Sequence, residues 1–255
     1  MSAEKYYAKI SEVLARIHST QMESIHRAAE AMASAIAQGN RVYLFGSGHS
    51  VIPVMDIFPR YGSYVGFFPL YDPRLMWFNV IGPGGARELL WLERREGYAE
   101  VFLKSYPLEA GDCMLVFSHG GMNAAPIEVA RESRKNGLTV ISVSSLANRQ
   151  LTRPTHSSGK ALSDVADIAI DNCVPPEDSL VDIGRKEKVA AGSTMAAVFI
   201  AMSLVAETGA RLAARGIHPM TFVSPNVEGV EKNHNQKVFE AFAEQSFRRG
   251  PRTRG

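Results

Sequence analysis

Arg41-Val42-Tyr43-Leu44-Phe45-Gly46-Ser47-Gly48-His49-Ser50 passes within one short stretch from an apolar run to a small, polar turn. Val42 to Phe45 is β-branched and aromatic without a polar interruption, which suits a strand buried on both faces of a parallel sheet. The glycines that follow let a ligand approach the main chain, and Ser47 and Ser50 offer hydroxyls at the same spot. Val51 to Phe58 then reads as a helix, with Ser50 placed to cap it and Pro53 tolerated in its first turn. Strand, glycine turn and helix start form an anion site, because unpaired N–H groups and the positive end of the helix dipole converge there.

Glycines after a strand are common in parallel α/β chains, and one such turn carries little weight. A second copy changes that. Cys113 to Phe117 is another apolar strand, followed by Ser118-His119-Gly120-Gly121-Met122-Asn123, and Pro126 follows Asn123 at the same offset as Pro53 follows Ser50. The two units predict phosphate binding at one or both turns, through Ser47, Gly48, Ser50, Ser118, Gly120, Gly121 and Asn123.

The chain has 255 residues, 45% of them hydrophobic and 21% charged, which suits one large α/β domain. Four arginines, Arg248, Arg249, Arg252 and Arg254, close the sequence; the rest carries a net charge of −2 against +2 for the whole. No general basic field is left for nucleic acid, and residues 241–255 read as a disordered basic tail. The first residues lack the apolar core of a signal peptide, and no apolar run reads as long enough to span a bilayer, so no membrane partner and a cytoplasmic location are expected. Cys113 and Cys173 have no second thiol near them in sequence, which argues against a disulfide or a zinc site; neither metal nor cofactor is expected.

Residues 4 to 38 place Ile10, Val13, Leu14, Ile17, Ile25, Ala28, Ala29, Met32 and Ile36 at helical spacing, a long amphipathic element that either covers a sheet face or reaches a neighbouring subunit. Strands are expected at Tyr64 to Leu70, Asp112 to Phe117, Leu138 to Val143 and Asp167 to Asp171. A helix is predicted from Ala124 to Asn136, and Trp77 to Ile81 is an apolar stretch of undecided type. Such alternation demands a parallel sheet with right-handed crossovers. A charged helix is predicted from Ala86 to about Lys104; within it Glu93 and Glu96 lie three apart, either as a carboxylate pair on one flank or as part of a solvated, ion-paired face. The polar span from Ser144 to Ser163 is either a lid, carrying His156, Ser157 or Lys160 to a ligand, or a subunit contact. Gly192-Ser193-Thr194 opens a buried helix from Met195 to about Ala214 and offers a third anion contact through Ser193 and Thr194, or a plain cap.

The long leading helix, the Phe45 to Ser50 turn, the Ser118 turn and Gly192 to Thr194 before a buried helix together resemble the sugar isomerase (SIS) domain family over roughly residues 5 to 240. Gly46 to Ser50, Pro126-Ile127-Glu128, His156 to Gly159 and Asp171-Asn172 look similar to a phosphosugar-binding branch of it. Gly84 to Leu90 followed by Glu93 and Glu96 resembles the region of N-acetylmuramic acid 6-phosphate etherase that carries its catalytic glutamates. The resemblance implies a three-layer α/β sandwich with a five-stranded, flavodoxin-like parallel sheet. Its domains would be an N-terminal helical extension over 1–40, a phosphosugar-binding domain over 41–240, and the tail over 241–255. It also implies a phosphorylated sugar at the carboxyl ends of the strands. A homo-oligomer, dimer or tetramer, is expected from the apolar stripe on residues 10 to 36 and from the Asn-rich stretch of residues 226 to 236. The chain departs from the pattern at Gly120, where a second serine is usual, so one hydroxyl contact is lost.

Aldose–ketose isomerisation moves a proton between adjacent carbons, requiring a base and an acid that acts on an oxygen, and elimination of an ether shares the first step. Glu96 is the expected base, Glu93 the alternative, and His49 the acid or oxygen ligand. A non-catalytic phosphosugar sensor is the competing expectation. The sequence leaves no room before residue 40 for a DNA-binding module of the kind fused to such sensors, which favours an enzyme.

Overall fold

The computed structural model describes residues 1–76 and 85–247; Trp77 to Ile81 and the last four arginines of the sequence lie outside the described residues. The chain opens with α1 (Ser2–Ala37), then β1 (Val42–Gly46), a 3₁₀ turn at Gly48–Ser50, α2 (Val51–Ile57) and β2 (Phe67–Pro69). Next come α3 (Ala86–Leu92), α4 (Tyr98–Leu103), β3 (Cys113–Phe117), α5 (Ala124–Lys135), β4 (Thr139–Ser144), α6 (Leu146–Leu151), α7 (Leu162–Val165) and β5 (Ile168–Asp171). A small hairpin of β6 (Ser179–Val181) and β7 (Val189–Ala191) precedes α8 (Ser193–Ala214) and α9 (His234–Phe247).

The five expected strands form one parallel sheet in the order β2-β1-β3-β4-β5. Successive side chains point to opposite faces, so each central strand feeds two cores. Val42, Leu44, Leu115, Phe117, Ile141 and Val143 pack with α1 and α8 on one side. Tyr43, Phe45, Met114, Val116 and Val140 pack with α4, α5 and α7 on the other. This is the expected three-layer α/β sandwich with a five-stranded parallel sheet and a long amino-terminal helix.

The stripe of α1 is spent inside its own chain. Ile17, Ile25, Ala28, Ala29 and Met32 are fully buried against the same core as α8, so the stripe itself gives no reason for a subunit contact. Helix α8 runs the other way from expectation on one point: by length and composition it is long and apolar enough to cross a bilayer. Ala196, Ile200, Ala201, Leu204 and Leu212 nonetheless face the core beside α1.

Other expectations shift at their edges. The second strand is only three residues long, and Tyr64 instead bridges Thr221 antiparallel while its hydroxyl donates to Val205 O at 2.8 Å. The predicted helix from Ala86 to Lys104 is two helices: α3 ends at Leu92, and α4 begins after Gly97, which takes a left-handed conformation at φ +86°. The polar span from Ser144 to Ser163 holds α6, capped by Ser145 Oγ accepting from Asn148 N, and the start of α7. The hairpin β6–β7 was not expected. Helix α9 runs through residues 241–247, where the basic tail was expected to begin.

Candidate functional site

β1 and β3 are neighbours in register, with Gly46 opposite Phe117, so their two turns emerge side by side at the carboxyl end of the sheet. Glu93, in the turn after α3, locks them together. Ser47 Oγ donates to Glu93 Oε2 at 2.9 Å and Asn123 Nδ2 donates to Glu93 Oε1 at 2.7 Å. Its carbonyl accepts from Ala125 N at the start of α5. Glu93 is 7% exposed, and burial raises its pKa, with the Ser47 bond and the Arg94 charge opposing. Neither Ser50 nor Asn123 caps its helix through its side chain, contrary to the reading from sequence, and Ser118 Oγ accepts from Gly121 N at 3.2 Å.

Beside this junction lies a cleft of about 190 Å³. His49, Ser50, Ser118, Ser193 and Thr194 line it, together with His119, Asn172 and Asp178, over a floor of Phe117, Val143 and Ala197. Ser47, Gly48, Gly120, Gly121 and Asn123 are not among its walls, and neither are Glu93 and Glu96. Desolvation lowers the pKa of His49, only partly offset by the charge of Asp178, so its unprotonated ring is favoured.

The amino-terminus of α8 was expected either to offer Ser193 and Thr194 to an anion or to carry a plain cap, and in the structure a carboxylate of the chain itself occupies it. Asp178 accepts from Ser193 N at 2.8 Å, Ser193 Oγ at 2.9 Å and Gly192 N at 3.1 Å. Asp178 has φ +63°, a conformation that Asp tolerates better than most residues. Sequence reading missed it because it stands in a Pro-rich loop without periodicity, and its partner Ser193 lies fifteen residues on.

Glu93 and Glu96 are not a pair on one helix flank. Glu96 follows the end of α3 and is well exposed; Ser157 donates to it twice, N to Oε1 and Oγ to Oε2, each at 2.6 Å. Those bonds lower its pKa. The predicted lid therefore meets Glu96, not the cleft. His156 is buried beside it, its Nε2 3.8 Å from Glu96 and 3.9 Å from Glu128, and Glu128 in turn accepts from Gly97 N and Ala99 N. Lys160 lines a separate basic groove with Arg131, Arg134 and Lys135.

Glu96, Glu128 and His156 bring three ligand-type atoms within 4.8 Å of one another. They do not suit a metal ion. Ser158 N–H donates to His156 Nδ1 at 3.0 Å, which makes Nδ1 the acceptor and leaves the hydrogen on Nε2, the nitrogen that faces the carboxylates. Both carboxylates are already engaged by N–H groups.

A family model described as SIS domain matches residues 5–145. A UPF0309 protein of Caldanaerobacter subterraneus subsp. tengcongensis is 33% identical over 241 residues, 93% of this chain and 96% of its own. One of Oceanobacillus iheyensis is 34% identical over 243 residues, covering 95% and 97%. Among solved structures, the fold is similar to a phosphoheptose isomerase from Neisseria gonorrhoeae, with TM-score 0.54 and 13% identity over 80% of this chain and 96% of that one. A phosphoheptose isomerase from Francisella tularensis gives TM-score 0.50 and 16% identity over 81% and 95%. At such identity the structural likeness is one of fold. The domain match spans more than half of the chain and the sequence relatives nearly all of it, and on those grounds the chain belongs to the SIS domain family.

Proposed function

We propose that the cleft binds a phosphorylated sugar and that the chain is a sugar-phosphate isomerase interconverting aldose and ketose forms, or a lyase that shares the same proton abstraction. The observation that carries this is His49. It sits in the wall of a cleft at the carboxyl ends of the strands, among the hydroxyls of Ser50, Ser118 and Thr194, and desolvation favours its proton-accepting form. We assign proton transfer to His49 and give Glu93 the role of holding the two turns in place. The test is exchange of solvent deuterium into each phosphosugar that raises the melting temperature. The parent is expected to exchange at a rate that climbs through a pKa below 6.5, the ordinary His49 value, and His49→Gln to lose about 10²-fold or more. Equal exchange in the variant would remove His49 from the chemistry.

One observation favours a second reading, a non-catalytic phosphosugar sensor. Both candidate carboxylates, Glu93 and Glu96, are held by hydrogen bonds outside the cleft walls. Absence of exchange in the parent with every phosphosugar that binds would decide for the sensor. We also propose a reducing, cytoplasmic setting, in keeping with the two buried, unpaired cysteines, and self-association through the face of α8 that leaves Met195 about half exposed. A monomer mass by light scattering at micromolar concentration would count against self-association.

A further inference from the structure

Asn172 is 2% exposed in the cleft wall, and its two ends are not interchangeable. Val174 N–H, which can only donate, meets Asn172 Oδ1 at 3.0 Å, so the amide nitrogen Nδ2 faces His119 Nδ1 at 3.1 Å. An amide nitrogen donates and does not accept; His119 Nδ1 is therefore the acceptor, and the ring hydrogen sits on Nε2. That Nε2 is enclosed and has no hydrogen-bond partner among the described residues. The backbone of His119 is held as well, its carbonyl accepting from Ser145 N at 2.8 Å. A buried N–H without an acceptor is costly, and folded proteins meet such groups with water or ligand.

We propose that His119 Nε2–H is a ligand-binding donor for a phosphate oxygen, with Asn172 as the positioning residue that selects its tautomer. This rests on reading the cleft as a phosphosugar site. Charge separates the two ends of the ligand. The Asp178 carboxylate, on the α8 side of the cleft, repels a phosphate and suits sugar hydroxyls, whereas Ser118 and His119 offer donors on the other. His119 stands between Ser118 and Gly120, so the turn sets an imidazole beside a serine hydroxyl. A serine hydroxyl rotates and both donates and accepts; an imidazole whose Nδ1 is already bonded only donates, so the site selects an acceptor.

The experiment uses the whole chain with ¹⁵N-labelled histidine and two probes, inorganic phosphate and fructose 6-phosphate. Without a probe, long-range proton–nitrogen spectra are expected to show the hydrogen of His119 on Nε2, and the opposite assignment overturns the proposal; this step needs no variant. With saturating fructose 6-phosphate, the Nε2–H resonance is expected to move and to exchange more slowly with water. His119→Ala is expected to weaken binding about tenfold, and Asn172→Ala to mix the tautomers and weaken it less. If the His49 resonances and the melting temperature respond to fructose 6-phosphate while His119 Nε2 does not, the role of His119 is wrong and the phosphosugar reading stands. If nothing responds to either probe, the phosphosugar reading falls and this inference with it.

Discussion

Asp178 lies against Ser193 with its carboxylate bonded to both the backbone N–H and the hydroxyl, so the positive end of α8 carries a resident negative charge inside the cleft. A helix terminus of this kind is a ready anion site only when nothing from the chain fills it. Here the carboxylate of Asp178 fills it.

Asp178→Asn keeps tolerance for the left-handed conformation and keeps an acceptor, but removes the charge. Urea unfolding is expected to show a loss of about 0.3–1 kcal/mol from the helix-dipole interaction. Inorganic phosphate, titrated by calorimetry, is expected to bind the variant more tightly than the parent. A weaker phosphate affinity in the variant would mean that Asp178 is no barrier to anions at α8.

Glu93→Gln preserves an oxygen for Asn123 and a polar group for Ser47. The folded-state pKa of Glu93 is raised above 4.5 by burial. Its contribution to stability is therefore fully present below about pH 4.5 and lost as pH rises through the folded value, whereas glutamine has no such dependence. The melting temperature of the variant, relative to the parent, is expected to climb from pH 4.5 to 7. A flat difference would show that the carboxyl does not feel its burial.

Glu96 behaves with the opposite sign. Its folded pKa is lowered by two bonds from Ser157, so the contact is present above 4.5 and is lost as pH falls through the lower folded value. The Ser157 amide proton resonance is expected to titrate with a midpoint below 4.5, and Glu96→Ala to abolish that titration. Trypsin cleavage after Lys160 is expected to become several-fold faster in the same variant, because the turn loses its tether. Unchanged cleavage would assign the order of this loop to its other contacts.

Gly46→Ala tests the turn itself. A Cβ at Gly46 would meet Ser50 O at 2.1 Å and Ser50 C at 2.5 Å, both backbone atoms of the 3₁₀ turn that carries His49. Overpacking against backbone is expected to cost about 1–3 kcal/mol in denaturant unfolding. Ligand affinity is expected to fall as well, since relief of the clash moves the His49 turn. A variant as stable as the parent would show that the close approach is soft.

What the sequence determined by itself was local and strong. Val42 to Phe45 and Cys113 to Phe117 are apolar on both faces and end in glycine and serine, and the structure makes them adjacent central strands with side-by-side turns. The stripe of α1 and the apolar run of α8 were legible for the same reason, since burial is repeated along each element at a helical period. The tertiary structure decided which polar residues meet. Ser47 and Glu93 are 46 residues apart and His119 and Asn172 are 53 apart, and no periodicity links such pairs. Glu93 and Glu96 part company because α3 ends at Leu92 and both fall in the turn before Gly97, left-handed, opens α4, a break that a charged, helix-favouring composition hid in the reading of sequence. Asp178 was hidden for a related reason: a helix start offers the same unpaired N–H groups to an external anion and to the chain's own carboxylate, and only the path of the loop decides which arrives.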